Sequence, residues 1–218
     1  MSKVAVIIPA LNEEQAIGRV IDDIPPELRQ SVIVVDNGST DRTPQVAAEH
    51  GAKVVHEPQR GYGAACLAGM AALEGPDIVV FLDGDHSDYP EEMPQLVDPI
   101  ARGEADMVIG SRMMGRREKG ALPPHSLFGN WLAAAMLRAL FGQRATDLGP
   151  FRALSYQCLR ALDMRDRGYG WTAEMQAKAA RDGWRTTEVP VSYRRRIGKS
   201  KITGSLLASL KAGYKIIT

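Results

Sequence analysis

The chain has 218 residues, 44% of them apolar and 24% charged, an ordinary globular composition that excludes a disordered or fibrous chain. Its net charge of +1 hides an asymmetry: up to Ala101 there are 6 Lys+Arg against 17 Asp+Glu, a balance of −11, and from Arg102 onward 21 against 9, a balance of +12. Such a split suits one acidic site that holds a metal and one basic site that holds an anion.

The first half alternates strand and helix patterns. Lys3 to Ile8 is a short apolar run that meets Pro9 with no basic leader before it, so a cytoplasmic protein without a signal peptide is expected. A helix pattern from Glu13 to Ile24 is stopped by Pro25-Pro26, and Val32 to Val35 reads as a second strand. Thr43 to His50 reads as a helix stopped by Gly51, Lys53 to His56 as a weaker strand, and Gly63 to Leu73 as a helix. Ile78 to Leu82, a helix from Glu91 to Arg102, and Met107 to Ile109 continue the alternation. Buried β-branched runs separated by helices predict a doubly wound, mostly parallel α/β sheet with helices on both faces.

The second half is less regular. Ser126 to Phe141 and Thr172 to Asp182 read as helices, Asp147 to Leu154 as a strand, and Arg185 to Tyr193 as an edge strand carrying Pro190. A basic loop, Arg194 to Lys201, leads into an amphipathic pattern from Gly204 to Thr218, and the chain ends inside that pattern. No repeat or linker appears, so residues 1–218 are read as one domain, with 1–112 as its donor and metal part and 113–218 as its acceptor part. No apolar run approaches the roughly 18–20 residues that span a bilayer. Cys66 and Cys158 show no CxxC spacing, which argues against a disulfide framework or a cysteine zinc site.

In an open α/β sheet, ligands bind outside the carboxyl ends of the strands. Those ends are crowded with polar residues here: Pro9-Ala-Leu-Asn-Glu13, Asp36-Asn-Gly-Ser-Thr-Asp41, Asp83-Gly-Asp-His-Ser-Asp88 and Gly110-Ser-Arg112. Turn formation and helix capping account for many of them, Asp41 before Thr43-Pro44 included. They do not account for carboxylates recurring along one edge. Asp83 and Asp85 stand at i and i+2 after a fully apolar strand, so both can point the same way from its end. Two hard oxygen ligands suit Mg²⁺ or Mn²⁺, whose shell is completed by water and substrate phosphates. His86 is read as a turn residue, with a place among the metal ligands as the alternative.

Competing motifs fail on position. Gly61-Tyr-Gly-Ala-Ala-Cys66 lacks the third glycine of a dinucleotide loop and does not follow the first strand directly. Arg60-Gly-Tyr-Gly63 is instead read as a loop opening a helix, with Gly61 and Gly63 allowing close approach to a diphosphate or sugar. Neither a P-loop nor a GxSxG elbow is present, and a nucleotidyltransferase would carry a glycine- and arginine-rich loop where Asn12-Glu13-Glu14 stands.

Ile8-Pro-Ala-Leu-Asn-Glu13, Val35-Asp-Asn-Gly-Ser-Thr-Asp41, Arg60-Gly-Tyr-Gly63, Asp83-Gly-Asp85 and Gly110-Ser-Arg112 together resemble the successive motifs of the family-2 glycosyltransferases, which have the GT-A fold. Asp147-Leu-Gly-Pro-Phe-Arg152, Trp171-Thr-Ala-Glu-Met175, Glu188-Val-Pro190 and Tyr193-Arg-Arg-Arg-Ile-Gly-Lys-Ser-Lys201 resemble the polyprenyl-phosphate branch, similar to dolichol-phosphate mannosyltransferase. The resemblance implies that Pro9, Asn12, Glu13, Asp36 and Asn37 line a nucleotide pocket, and that Asp83 and Asp85 hold the metal. It implies that Arg112, Arg196, Ser200 and Lys201 lie near an acceptor phosphate. Two positions depart from the pattern: Asn37 stands where the family often has a second Asp, and Ser87 where the mannosyltransferase branch tends to have Gln.

The expected function is therefore inverting, metal-dependent transfer of a hexose from a nucleotide sugar, of GDP-mannose or UDP-glucose type, to a polyprenyl or dolichyl phosphate. The expected setting is the cytoplasmic face of a membrane, in peripheral contact with it and without a nucleic-acid partner. The alternative keeps the fold and changes the acceptor to a saccharide hydroxyl, which needs a general base. Glu174 and Asp147 are the candidates for that base. A non-catalytic nucleotide-sugar-binding protein is the third reading, and the intact Asp83 and Asp85 count against it.

Overall fold

The computed structural model describes residues 2–198. Ser200, Lys201 and the amphipathic pattern from Gly204 to Thr218 lie outside the described residues. Seven strands, β1 (Val4–Ala10), β2 (Val32–Asp36), β3 (Lys53–His56), β4 (Ile78–Phe81), β5 (Met107–Ser111), β6 (Arg152–Ser155) and β7 (Thr186–Pro190), form one sheet in the order β3-β2-β1-β4-β6-β5-β7. All pairings are parallel except those of β6, which runs antiparallel between β4 and β5. The helices are α1 (Ile17–Asp22), α2 (Thr43–Glu49), α3 (Tyr62–Ala71), α4 (Met93–Ala101), α5 (Pro124–Phe141), α6 (Tyr156–Ala161) and α7 (Trp171–Arg181).

The central strands β1, β2, β4 and β5 are largely apolar because both faces of the sheet are covered there. Successive side chains point to opposite faces, so β1 divides its residues between two cores. Val4, Val6 and Ile8 pack with Val20 and Ile21 of α1 and Leu96 of α4. Ile7 packs with Ala65 of α3 and with Trp171 and Met175 of α7. This is the predicted class, a mostly parallel sheet with helices on both faces. Among the described residues, no helix is long and apolar enough to cross a membrane.

Three segments differ from the expected boundaries, each for a local reason. The helix expected from Glu13 begins only at Ile17; the Glu13 and Glu14 amides ahead of it donate to Thr43 Oγ1 and Asp41 Oδ2 of the neighbouring loop. The strand expected from Asp147 begins at Arg152. The Arg152 guanidinium curls back onto the carbonyls of Leu148 and Gly149 and holds 147–151 as a loop. Helix α6 was not expected; Ser155 Oγ caps it by accepting the Cys158 amide at 3.2 Å. Strand β7 is an edge strand as expected, ending on Pro190, where the missing N–H costs no ladder bond.

Candidate active site

The carboxyl ends of β1, β2 and β4 open onto a cavity of about 150 Å³. Of the residues predicted from sequence, Pro9, Glu13, Asn37, Gly61, Asp83, Asp85 and Arg196 line it. Leu11, Arg60, Tyr62 and Tyr169 line it too and were not singled out individually. Tyr62 has chemistry that sequence alone does not separate from packing, since an aromatic in a helix pattern is more often core.

Asp83 and Asp85 sit just past β4 and both face this cavity. Asp85 is buried, and its Oδ1 accepts the amide and the hydroxyl of Ser87 at 2.9 and 2.5 Å. Oδ2 accepts no hydrogen bond, and its counter-charge is the Arg196 guanidinium. Burial raises the Asp83 carboxyl above its usual range, although the Arg196 charge and a hydrogen bond from the Tyr62 hydroxyl both oppose that. Burial beside Asp83 also pushes the Tyr62 phenol and the Cys66 thiol well upward, so neither ionises readily. A buried carboxylate oxygen whose counter-charge is one guanidinium, next to a second carboxylate held in low dielectric, fits a divalent cation. Among the described residues no cluster of three or more His, Cys, Asp and Glu converges as a metal site. A cation here would take two protein carboxylates and draw its remaining ligands from substrate and water, which is the habit of Mg²⁺ and Mn²⁺. His86 takes no part: its Nε2 pairs with Asp23 at 2.7 Å.

The second strand end is divided: Asn37 lines the cavity as expected and Asp36 is tied to the chain itself. Asp36 does not line the cavity. Its Oδ1 accepts the Ser39 amide at 2.9 Å and its Oδ2 pairs with His56 at 3.2 Å. Burial alone would raise Asp36; the Ser39 and His56 contacts more than offset it and lower the group. Asn12 likewise ties two strand ends together, accepting the Thr40 amide through Oδ1 while its own amide donates to Ser39 Oγ. Asn37 is the brace of the glycine loop: Nδ2 donates to the Glu57 and Gln59 carbonyls at 3.0 and 2.8 Å, and Oδ1 accepts the Gly61 amide at 2.8 Å. A carboxylate cannot make the two donations, which gives a physical reason for Asn at this position.

The glycine loop corrects an expectation. Gly61 and Gly63 are both required by the chain's own backbone, a demand that the expectation of a close-approaching ligand did not include. A Cβ on Gly61 would stand 2.0 Å from the Arg167 carbonyl oxygen, and one on Gly63 2.0 Å from that of Asp166. The Gly63 and Ala64 amides are spent on the Gly168 and Arg167 carbonyls. Gly61 still lines the cavity, whereas Gly63 does not.

The basic run is also divided in a way its sequence does not reveal. Arg194 pairs with Asp23, donates to the His86 carbonyl and lies 4.3 Å over the Tyr89 ring. Arg195 is held by the Lys119 carbonyl and, through its amide, by Glu118. Only Arg196 of these three reaches the cavity. Backbone bonds from Arg194 to Ser87 and from Ile197 to Asp85 lay the segment along the Asp85 loop and deliver that guanidinium. Arg112 is near but does not line the cavity. Its Nε and Nη2 grip Asp147 at 2.8 and 2.7 Å. Burial disfavours its charge, but Asp147 outweighs burial and raises the group further.

Neither candidate base faces the cavity. Asp147 is fully buried against Arg112. Glu174 accepts the Arg165 and Asp166 amides and pairs with Lys178 at 2.8 Å. Both are structural ion-pair partners.

Residues 5–162 match the family described as Glycosyl transferase family 2. An uncharacterized glycosyltransferase of Mycobacterium tuberculosis is 39% identical over 217 residues, covering 96% of this chain and 94% of the relative. The undecaprenyl-phosphate mannosyltransferase of Micrococcus luteus is 32% identical, with 94% and 89% covered. The dolichyl-phosphate hexose transferase of Haloferax volcanii is 36% identical, with 91% and 86% covered. Among solved structures, glucosyl-3-phosphoglycerate synthase from M. tuberculosis, in complex with Mn²⁺, UDP and glucosyl-3-phosphoglycerate, superposes with a TM-score of 0.75 at 28% identity. That match covers 99% of this chain and 77% of the synthase. The sheet order, the carboxylate pair at the end of β4 and these likenesses agree: the chain is a GT-A enzyme that belongs to glycosyl transferase family 2.

Proposed function

We propose that this glycosyltransferase moves a hexose, with inversion, from a nucleoside diphosphate sugar to a polyprenyl phosphate at the cytoplasmic face of a membrane. The observation that carries the reading is the cavity in which Asp83, Asp85 and Arg196 meet: two carboxylates suited to a divalent cation and, beside them, a guanidinium suited to a phosphate. Relatives named for undecaprenyl-phosphate and dolichyl-phosphate transfer support the acceptor, and a neighbour crystallised with Mn²⁺ and a UDP sugar supports the donor and the metal.

Asp83 and Asp85 would hold Mg²⁺ or Mn²⁺, which when bound neutralises charge on the departing diphosphate. Pro9, Leu11, Glu13 and Tyr62 bound the space for the nucleotide and sugar. Asn37 and the Gly61 loop keep one wall of it rigid. A phosphomonoester has a second pKa near about 6, so a lipid phosphate is largely dianionic at neutral pH and attacks without a protein base. The chain's work is then orientation and electrostatics. That both candidate bases are committed to structural partners favours this over a saccharide hydroxyl acceptor. Arg196 would leave Asp85 for the attacking phosphate once the cation takes that carboxylate.

The experiment is incubation with a panel of nucleotide sugars, Mn²⁺ or Mg²⁺ and either a polyprenyl phosphate or a saccharide acceptor, with products read by mass spectrometry. A glycosylated lipid phosphate is expected; a glycosylated saccharide alone would overturn the acceptor.

A further inference from the structure

Helix α5 is apolar on nearly every side, yet only Ala134 and Leu137 of it are buried. A helix of that character is ordinarily covered all round. Phe128, Trp131 and Leu132 are 61%, 63% and 37% exposed, and their i, i+3, i+4 spacing puts them on one outer face. Ala135 and Ala139 extend the stripe along the helix and are exposed too. The Phe128 and Trp131 rings lie 6.0 Å apart, a preassembled aromatic pair facing solvent.

Charge identifies what covers this face. From Arg112 to Thr146 there are six Lys and Arg and a single acid, Glu118. Arg116, Arg117, Lys119, Arg138 and Arg144 are all exposed, while Glu118 accepts the Arg195 amide. Two copies meeting through α5 would bring these like charges together. An anionic surface with an apolar interior beneath it matches both features, and Trp beside Lys or Arg is the usual composition of a segment seated at a lipid boundary.

We propose that the outer face of α5 seats this enzyme on an anionic lipid bilayer, with Phe128, Trp131 and Leu132 entering the headgroup boundary and the flanking arginines and lysine meeting lipid phosphates. The inference deepens the lipid-phosphate reading above and rests on it for its purpose. The helix also reaches the site: Asn130 donates to the Thr146 carbonyl at 2.9 Å and accepts the Leu148 amide at 2.8 Å. Those bonds brace the loop that carries Asp147, and through it Arg112.

The test is flotation with vesicles of phosphatidylglycerol and phosphatidylcholine, and with phosphatidylcholine alone, at low and high salt. Wild type is expected to bind the anionic vesicles and to release as salt rises. Trp131 is one of three tryptophans, and Trp171 is buried, so a blue shift on vesicle addition that disappears in Trp131→Phe reports insertion of this face. The Phe128→Glu/Trp131→Glu double variant should lose at least about ten-fold in partitioning, and the milder Trp131→Ala part of that, with unfolding midpoints unchanged. Transfer to a short, water-soluble prenyl phosphate should be unaffected by these substitutions. Equal vesicle binding by wild type and the double variant overturns the proposal, as does no binding by wild type. A wild-type dimer that the double variant makes monomeric overturns it in favour of a second copy. If vesicle binding is lost as expected but no prenyl phosphate is glycosylated, the docking face stands and the acceptor reading falls.

Discussion

Arg112 and Asp147 form a two-pronged ion pair closed to water, with Arg112 12% exposed and Asp147 fully buried. The Asp147 carboxylate also accepts the Arg112 amide at 2.8 Å, and the guanidinium lies 5.1 Å from the Tyr193 ring centre. The pair joins the end of β5 to the loop before β6. Asp147→Ala leaves a buried guanidinium without its partner, and breaking such a pair costs about 3–5 kcal/mol. The urea midpoint should fall accordingly. A change below about 1 kcal/mol would mean that the pair behaves as an exposed one.

Asp85→Asn keeps the acceptor that Ser87 uses and removes the charge. Loss of an outer partner at a metal site costs roughly 10–100-fold, so loss of a ligand should exceed that in turnover. Mn²⁺ titration followed by electron paramagnetic resonance should show weakened binding in the variant, with the thermal midpoint retained. Full Mn²⁺ affinity would remove Asp85 from the site.

Asn37→Asp tests the brace of the glycine loop. The variant cannot donate to the Glu57 and Gln59 carbonyls, and an unsatisfied buried group costs about 1–3 kcal/mol. Stability should fall within that range, and nucleoside diphosphate affinity, measured by calorimetry, should fall with it. Unchanged values would show that the loop holds itself through the 166–168 backbone alone.

Asp88 supplies a pH signature. Both of its oxygens are buried without hydrogen-bond partners among the described residues, and burial, with the Asp83 charge adding to it, pushes its carboxyl from 3.8 up to about 8. The folded state therefore holds a proton that the unfolded state has released. The contribution to stability is complete below about pH 4 and declines as pH rises, levelling off above about pH 8. In metal-free protein, Asp88→Asn should gain stability relative to wild type steadily across that window, followed by urea unfolding at several pH values. A difference independent of pH would show that Asp88 titrates normally.

Arg196→Ala should raise the KM for the phosphate acceptor by about 10–100-fold, the equivalent of losing one charge-assisted hydrogen bond of about 1.5–3 kcal/mol. Nucleoside diphosphate affinity should stay near the wild-type value. Loss of donor binding instead would assign Arg196 to the diphosphate.

What the sequence determined by itself is the part governed by local pattern. The apolar runs of β1, β2, β4 and β5 are legible because strands buried on both faces are almost wholly apolar, β2 and β5 reaching Asp36 and Ser111 only at their last residue. The polar clusters that follow them mark the sheet edge where Asp83 and Asp85 lie. Tertiary structure decided which of many similar residues face the cavity. Arg194, Arg195 and Arg196 are equivalent in sequence; they are told apart by Asp23, the Lys119 carbonyl and Asp85, groups 76 or more positions away in the chain. Asp36, Gly63 and Arg112 carry the right chemistry, but each is taken up by partners distant in the chain: His56, the Asp166 backbone and Asp147. A side chain's type is local information. Its unsatisfied valence, which is what a ligand meets, depends on what the fold brings against it.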